Sequence, residues 1–201
     1  MSLSVFLEMF IKENLSRKEQ VYLHATEMFK DRGYAATSMR DLANSLGIEA
    51  ASLYSHIRSK EELLRKICFD IAAEFIGGLI NVEQKDIPAS EKLRLGIISH
   101  TKVIARDLAS AAVFFNEYRN LSPAYLHDFL LLRINYINRF KKMIKQGIAD
   151  DEFAEVDIKL AVMTMFSSLN WMPTWYNHTE SIDQEKVSTE LAQMLIKGLK
   201  K

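Results

Sequence analysis

The chain has 201 residues with 26 basic and 26 acidic side chains, so its formal net charge is zero, which argues against a wholesale binder of polyanions. Apolar residues make up 48% of it, with only three prolines and seven glycines, as suits a well-packed helical protein of one or two domains. The single Cys68 excludes a disulfide framework within the chain and a cysteine-only zinc site, and suits a reducing cytoplasm; no run of 18 apolar residues and no secretion signal is present.

In chain order, Leu3, Phe6, Leu7, Phe10 and Ile11 fall at helical spacing, so residues 1–14 read as an N-terminal extension with an amphipathic pattern. A first helix follows at about Arg17–Arg32, burying Val21, Ala25, Met28 and Phe29 and stopped by Gly33. Thr37 and Ser38 offer N-cap oxygens, and Ser38-x-x-Asp41 has capping-box spacing. Met39, Leu42, Ala43 and Leu46 then form one buried face, and Gly47 supplies the left-handed residue of a helix stop. The next helix, about Glu49–His56, carries small Ala50, Ala51 and Ser52, then Leu53 facing inward and Tyr54 outward. Two short helices around such a turn are the pattern of a helix-turn-helix DNA reader. Between residues 15 and 66, nine basic side chains meet seven acidic ones, so phosphate contacts depend on placement rather than bulk field.

Ser59 caps a long helix to about Glu83, with Glu62 at capping-box spacing, and Gly77-Gly78 within it mark either a kink or a close helix crossing. Asp86-Ile87-Pro88 breaks the chain. Further helices are predicted at about 90–106, 108–120, 123–147, 157–176 and 183–199, with Pro123 at a first helical position and Asp157 and Asp183 as caps. The fold class is therefore all-α. A three-helix DNA-binding domain is expected at 15–60 and a helical body at 61–201.

The run T-S-M-R-D-L-A-x-x-L-G-I-x-x-x-S-L-Y-x-H-I-x-S-K-E-E-L over 37–63 resembles the N-terminal signature of TetR-family transcriptional regulators, closely over about 15–66 and by helix layout beyond. Glu49 stands where that family usually has Ser or Thr, and Ile57 where it usually has Phe. The resemblance implies a homodimeric repressor on a palindromic double-stranded DNA operator, released by a small effector. It also implies that the body at 61–201 is a ligand-binding and dimerisation domain and that the core helices number about nine. The DNA-contact candidates are Thr37, Ser38, Arg40, Ala50, Ser52, Tyr54, Ser55, His56 and Lys60. In the family the Thr, Tyr, His and Lys at these positions commonly meet phosphates, while early recognition-helix residues meet base edges.

Asn170-Trp171-Met172-Pro173-Thr174-Trp175-Tyr176 places two tryptophans four apart, readable as an aromatic core or a dimer seam. The pattern N-W-x3-W-Y also resembles the subgroup of TetR regulators that sense acyl-coenzyme A thioesters, although Thr174 replaces the basic residue many of them carry before the second Trp. The effector candidates are Phe115, Tyr118, Arg119, Arg133, Tyr136, Met143, Phe166, Asn170, Trp171, Trp175 and Tyr176. Phe114, Met163 and Met165 are further lining, and Arg106 and Arg139 further cations for an anionic coenzyme. A cage of Trp171, Trp175 and Tyr176 with Glu117 as its acid would instead suit a multidrug, aromatic-cation-sensing regulator. A filled core there would suit a ligand-free architectural or partner-binding protein on the same fold. The dimer seam is expected from Ile158, Val162, Met165, Leu169, Val187, Leu191, Met194 and Leu195, joined by Ala161. His24, His56, His100, His127 and His178 are scattered and no metal, nucleotide or nucleophile motif appears, so no enzyme, metal site or cofactor is expected, and no membrane partner.

Overall fold

The computed structural model describes residues 15–176 and 183–200; the amphipathic pattern at 1–14 and His178 lie outside the described residues. Among those described, the regular elements are all helical: α1 (Arg17–Arg32), α2 (Met39–Ser45), α3 (Ala50–Tyr54), α4 (Lys60–Glu83), α5 (Ala89–Arg106), α6 (Leu108–Asn116), a 3-10 turn (Tyr118–Asn120), α7 (Pro123–Ala149), α8 (Ile158–Asn170), α9 (Met172–Trp175) and α10 (Gln184–Lys197).

Helix starts follow local chemistry. Ser16 with Glu19 and Ser38 with Asp41 form reciprocal capping boxes, and Asp157 and Asp183 accept from backbone N–H groups of the first turns of α8 and α10. Ser59 caps α4, but no reciprocal box forms there, because Glu62 turns back one residue further to accept the Arg58 N–H at 2.9 Å. Ser122 makes no side-chain cap on α7; its own N–H donates to Glu61 Oε1 at 2.9 Å, which ties α7 to the first turn of α4.

The expected helix over 157–176 is two helices. Pro173 has no N–H to continue the ladder, and α8 ends at Asn170 before the single turn of α9. Likewise 108–120 divides at Glu117 into α6 and the 3-10 turn. The glycine pair in α4 leaves the helix unbroken; a Cβ on Gly78 would lie 2.2 Å from Ser99 Oγ of α5, so this glycine marks a close helix crossing.

One contiguous core runs through the molecule. Val21, Ala25 and Phe29 of α1 meet Leu42, Leu53 and Ile57 beneath the two short helices, and α4 carries that core upward through Leu64, Ile71, Phe75 and Leu79. There α5, α7 and α8 close over it with Ile97, Phe140 and Phe166, while α10 packs along α5. At about 25 cal/mol per Å² of apolar surface removed from water, this continuous burial dominates the cohesion of the fold.

Candidate nucleic-acid interface and effector cavity

The helix-turn-helix is held by short-range backbone bonds. Gly47 adopts φ +63°, a conformation costly for residues with a Cβ, and the turn closes through Gly47 N–H to Asn44 O and Ile48 N–H to Ala43 O, both 3.1 Å. Leu42, Ala43, Leu53 and Ile57 anchor it in the core, Ile57 occupying its site with no exposure. Glu49 heads α3 without any side-chain cap, as a long carboxylate in a cap position would have to fold back on itself.

The structure separates the DNA-contact candidates into two groups. Ser38, Arg40, Ser52, Tyr54, Ser55 and His56 are exposed, Tyr54 at 54%, and Ala50 is half-buried. Thr37 and Lys60 turn inward instead. Thr37 is buried, and its hydroxyl donates to Gly33 O at 3.0 Å and Met28 O at 3.4 Å. The Lys60 ammonium donates to the carbonyls of Tyr34 and Thr37, both at 2.8 Å, and lies 4.1 Å from the centroid of the Tyr34 ring. A cation in the first turn of α4 opposes the helix dipole, and these two carbonyls and the ring face compensate it. Both residues thus serve the α1–α2 loop in this conformation, a role that spacing alone did not indicate.

In the upper body, α4, α5, α6, α7 and α8 enclose a cavity of about 240 Å³. Its walls are Ala72, Phe75 and Ile76 of α4, Phe114 and Phe115 of α6, Leu132, Arg133, Tyr136 and Ile137 of α7, and Met163, Phe166, Ser167 and Asn170 of α8. From α5 comes His100, which the sequence reading passed over as one of several scattered histidines. The signal was present: His100 shares the buried face of α5 with Leu93, Ile97 and Ile104 at three- and four-residue spacing.

His100 is buried and stacks on Phe75 with centroids 4.3 Å apart. Its Nδ1 lies 3.1 Å from the Tyr136 hydroxyl and its Nε2 3.1 Å from Asn170 Oδ1. Burial pushes its pKa down to about 4, with the Asn170 hydrogen bond opposing, so the ring is neutral at physiological pH. Burial also pushes the Tyr136 phenol up, and the Cys68 thiol up to about 12, which leaves Cys68 a core side chain rather than a nucleophile.

Of the effector candidates, Phe115, Arg133, Tyr136, Phe166 and Asn170 line this cavity. The others stand elsewhere. Tyr118 is buried, stacked on Phe129 at 5.2 Å, with the guanidinium groups of Arg119 and Arg133 over its ring at 4.7 and 4.6 Å. Met143 is buried at the other end of α7, near Glu83 and Pro88. Trp171 and Trp175 are 64% and 42% exposed and Tyr176 is buried, because the break at Pro173 turns the tryptophans outward. Arg106 is paired with Glu74 and Arg139 with Glu83. Glu117 faces away from the cavity: its Oε2 accepts the Tyr34 N–H at 3.2 Å and the Asn120 amide at 2.9 Å.

The expected dimer seam is largely internal. Val162, Met165, Leu169 and Val187 are buried within the chain, and Ile158, Ala161, Leu191 and Leu195 pack half-buried against its core. Their stripe on α8 faces α7, one stripe away from the apolar surface left open at Leu160, Met163, Trp171 and Trp175; on α10, Met194 is 71% exposed. No described helix is long and apolar enough to cross a membrane, and no group of three or more potential metal ligands occurs among the described residues.

Comparison with known proteins places this architecture. Residues 23–67 match the family described as bacterial regulatory proteins, tetR family, and residues 86–199 match the tetracyclin repressor-like C-terminal domain. The HTH-type transcriptional repressor KstR2 of Mycolicibacterium smegmatis is 26% identical over 187 residues, covering 92% of this chain and 91% of the relative. The fatty acid metabolism regulator protein of Bacillus subtilis is 22% identical over 191 residues, covering 94% and 98%. The crystal structure of AibR in complex with isovaleryl coenzyme A and operator DNA superposes with a TM-score of 0.78 at 21% identity, covering 90% of this chain and 98% of that one. With the helix-turn-helix, the helical body and matches that span most of its length, this chain belongs to the TetR family of bacterial regulatory proteins, transcriptional regulators that read DNA through an N-terminal helix-turn-helix.

Proposed function

We propose that the protein is a homodimeric, cytoplasmic repressor that binds a palindromic operator through α2 and α3 and is released by a small acyl-coenzyme A thioester. The observation that carries the effector class is the cavity: an aromatic and aliphatic chamber with one buried polar group of three residues and a single guanidinium, Arg133, on its wall. Apolar walls suit an acyl chain, and Arg133 offers a cation to an anionic coenzyme. The names of KstR2, the Bacillus regulator and the AibR complex support repression and acyl-thioester sensing in relatives of this chain. An aromatic-cation sensor is less well served, since the one acid suggested for it, Glu117, is bonded to the Tyr34 backbone.

On this reading the exposed Arg40, Tyr54 and His56 meet phosphates, and Ser52 with half-buried Ala50 faces base edges. Two copies pair through the open surfaces of α8 and α10, where Leu160, Trp171, Trp175 and Met194 are uncovered. Release has a direct route: α6 sets Phe114 and Phe115 in the cavity wall and ends at Glu117, which holds the backbone of the α1–α2 loop. An acyl group that displaces those rings moves the peg on which the DNA-binding domain rests, provided it binds the released conformation better than the DNA-bound one.

Size makes the reading testable. A 150 Å³ apolar cavity admits benzene, so about 240 Å³ admits an acyl group of roughly ten heavy atoms. Calorimetric titration with a chain-length series of saturated thioesters should show affinity rising to a medium chain and then levelling or falling. Free coenzyme A should bind at least about tenfold more weakly than the best thioester. Equal affinity for free coenzyme A and every thioester would reject the cavity as the acyl site.

A further inference from the structure

The buried polar group in the cavity has a direction. His100, Tyr136 and Asn170 come from α5, α7 and α8, and two complete hydrogen-bond patterns could join them. In the first, the Tyr136 O–H donates to His100 Nδ1, His100 Nε2–H donates to Asn170 Oδ1, and the Asn170 NH2 is left over. In the second, the Asn170 NH2 donates to Nε2, Nδ1–H donates to the Tyr136 oxygen, and the Tyr136 proton is left over. Among the described residues His100 is the one hydrogen-bond partner of the Tyr136 hydroxyl, and Tyr136 is 7% exposed. The second pattern therefore leaves a phenolic proton unpaired on the more deeply buried of the two side chains, which is the costlier outcome. The first leaves open only the amide of half-buried Asn170, which lines the cavity, and it agrees with Oδ1 facing the ring.

We infer that Asn170 is a hydrogen-bond donor to an acceptor oxygen within the effector's acyl portion, so that the cavity prefers a 3-oxoacyl thioester to the saturated one. This rests on the acyl-thioester reading above. His100 and Tyr136 are positioning residues: they fix which face of the amide meets the ligand. The chain of donors runs one way from Tyr136 to Asn170, and each bond polarises the next. Among the described residues the charged side chain on the cavity wall is Arg133, and beyond the polar trio the lining is apolar apart from Ser167, so a saturated chain, whose acceptor is the thioester carbonyl that all thioesters share, offers the Asn170 protons nothing further along the chain. A 3-hydroxyl also accepts from Asn170 but must place a proton of its own, for which the wall offers the hydroxyl oxygens of Tyr136 and Ser167, whereas a carbonyl oxygen only accepts.

The test combines calorimetry and nitrogen NMR on the full chain. Acetoacetyl-coenzyme A should bind at least about fivefold tighter than butyryl-coenzyme A, with 3-hydroxybutyryl-coenzyme A weaker than the oxo compound. Asn170→Leu should erase the oxo preference, bringing the acetoacetyl and butyryl affinities within about threefold of each other. Tyr136→Phe, which frees the imidazole to take either tautomer, should narrow the gap between oxo and hydroxy ligands. An oxo preference that is absent, or that survives Asn170→Leu, overturns the assignment. Long-range 15N–1H spectra should show His100 protonated on Nε2, and a proton on Nδ1 overturns the direction whether or not any thioester binds. A correct tautomer with no binding of any thioester instead overturns the effector class of the preceding section, and this assignment with it.

Discussion

Lowering the pH from 7.5 to 4.5 should cost the protein roughly 2–3 kcal/mol of stability through His100 alone. The buried ring has its pKa pushed down to about 4, against an ordinary value near 6.5. Between those two values the unfolded chain binds a proton that the folded chain refuses, so stability is complete above pH 6.5 and falls as the solution becomes more acidic. Below pH 4 the folded state accepts the proton too, and the loss stops growing. Among the described residues no carboxylate compensates: the ring faces Phe75, Phe115, Tyr136, Phe166 and the neutral amide of Asn170. Urea unfolding of wild type and His100→Gln at pH 7.5, 5.5 and 4.5 isolates the effect, because the carboxylates that also respond to acid are common to both. The variant should start less stable at pH 7.5 and lose roughly 2–3 kcal/mol less on acidification. Parallel pH profiles for the two proteins would show that the ring is not held neutral.

Lys60→Met should destabilise the protein by about 2 kcal/mol and lower Tm by roughly 4–8 °C. Methionine keeps the stem but removes two charge-assisted hydrogen bonds, leaving the Thr37 carbonyl without this donor, the Tyr34 carbonyl with the Thr37 N–H at 3.2 Å, and the Tyr34 ring without its cation. Those carbonyls bracket the loop that launches α2, so operator affinity should fall as well, by about tenfold. The salt dependence of binding tells position from contact. A lysine lost from a phosphate reduces the slope of log K against log salt by about 0.9, whereas loss of an internal brace leaves the slope nearly unchanged. The structure predicts the unchanged slope for Lys60→Met and the reduced one for Arg40→Ala. The reverse result would place the Lys60 ammonium on the DNA.

These two residues also mark where sequence legibility ended. The helix-turn-helix could be read because its determinants are local: Ser38 reaches Asp41 three residues away, and Gly47 stops α2 whatever the rest of the chain does. Lys60 binds carbonyls 23 and 26 residues back, a contact that spacing cannot specify, and the same type and position resembled a phosphate ligand. The tryptophans stand at the surface rather than on the cavity wall. Four-residue spacing implies a shared face only while the helix continues, and Pro173 ends that condition. Cavity walls from α6, α7 and α8 are partly visible in the sequence as aromatic and methionine clusters, whereas no spacing or motif marks Phe75 and Ile76 of α4 as lining. The expected dimer seam divides by phase. Apolar periodicity locates a buried face, and within the chain α7 covers that face of α8 and α5 that of α10, while Met194 stays open.

The central claim is that one molecule couples DNA binding at α2–α3 to occupancy of the α4–α8 cavity. The most direct test starts from a palindromic duplex selected from random-sequence DNA by the protein itself. Fluorescence anisotropy of that duplex is then followed while a medium-chain acyl-coenzyme A is added. The account predicts release at thioester concentrations matching the calorimetric affinity, no release by free coenzyme A, and a weakened response when Phe115→Ala trims the ring that an acyl group would displace. Thioester binding that leaves the DNA complex intact would contradict it.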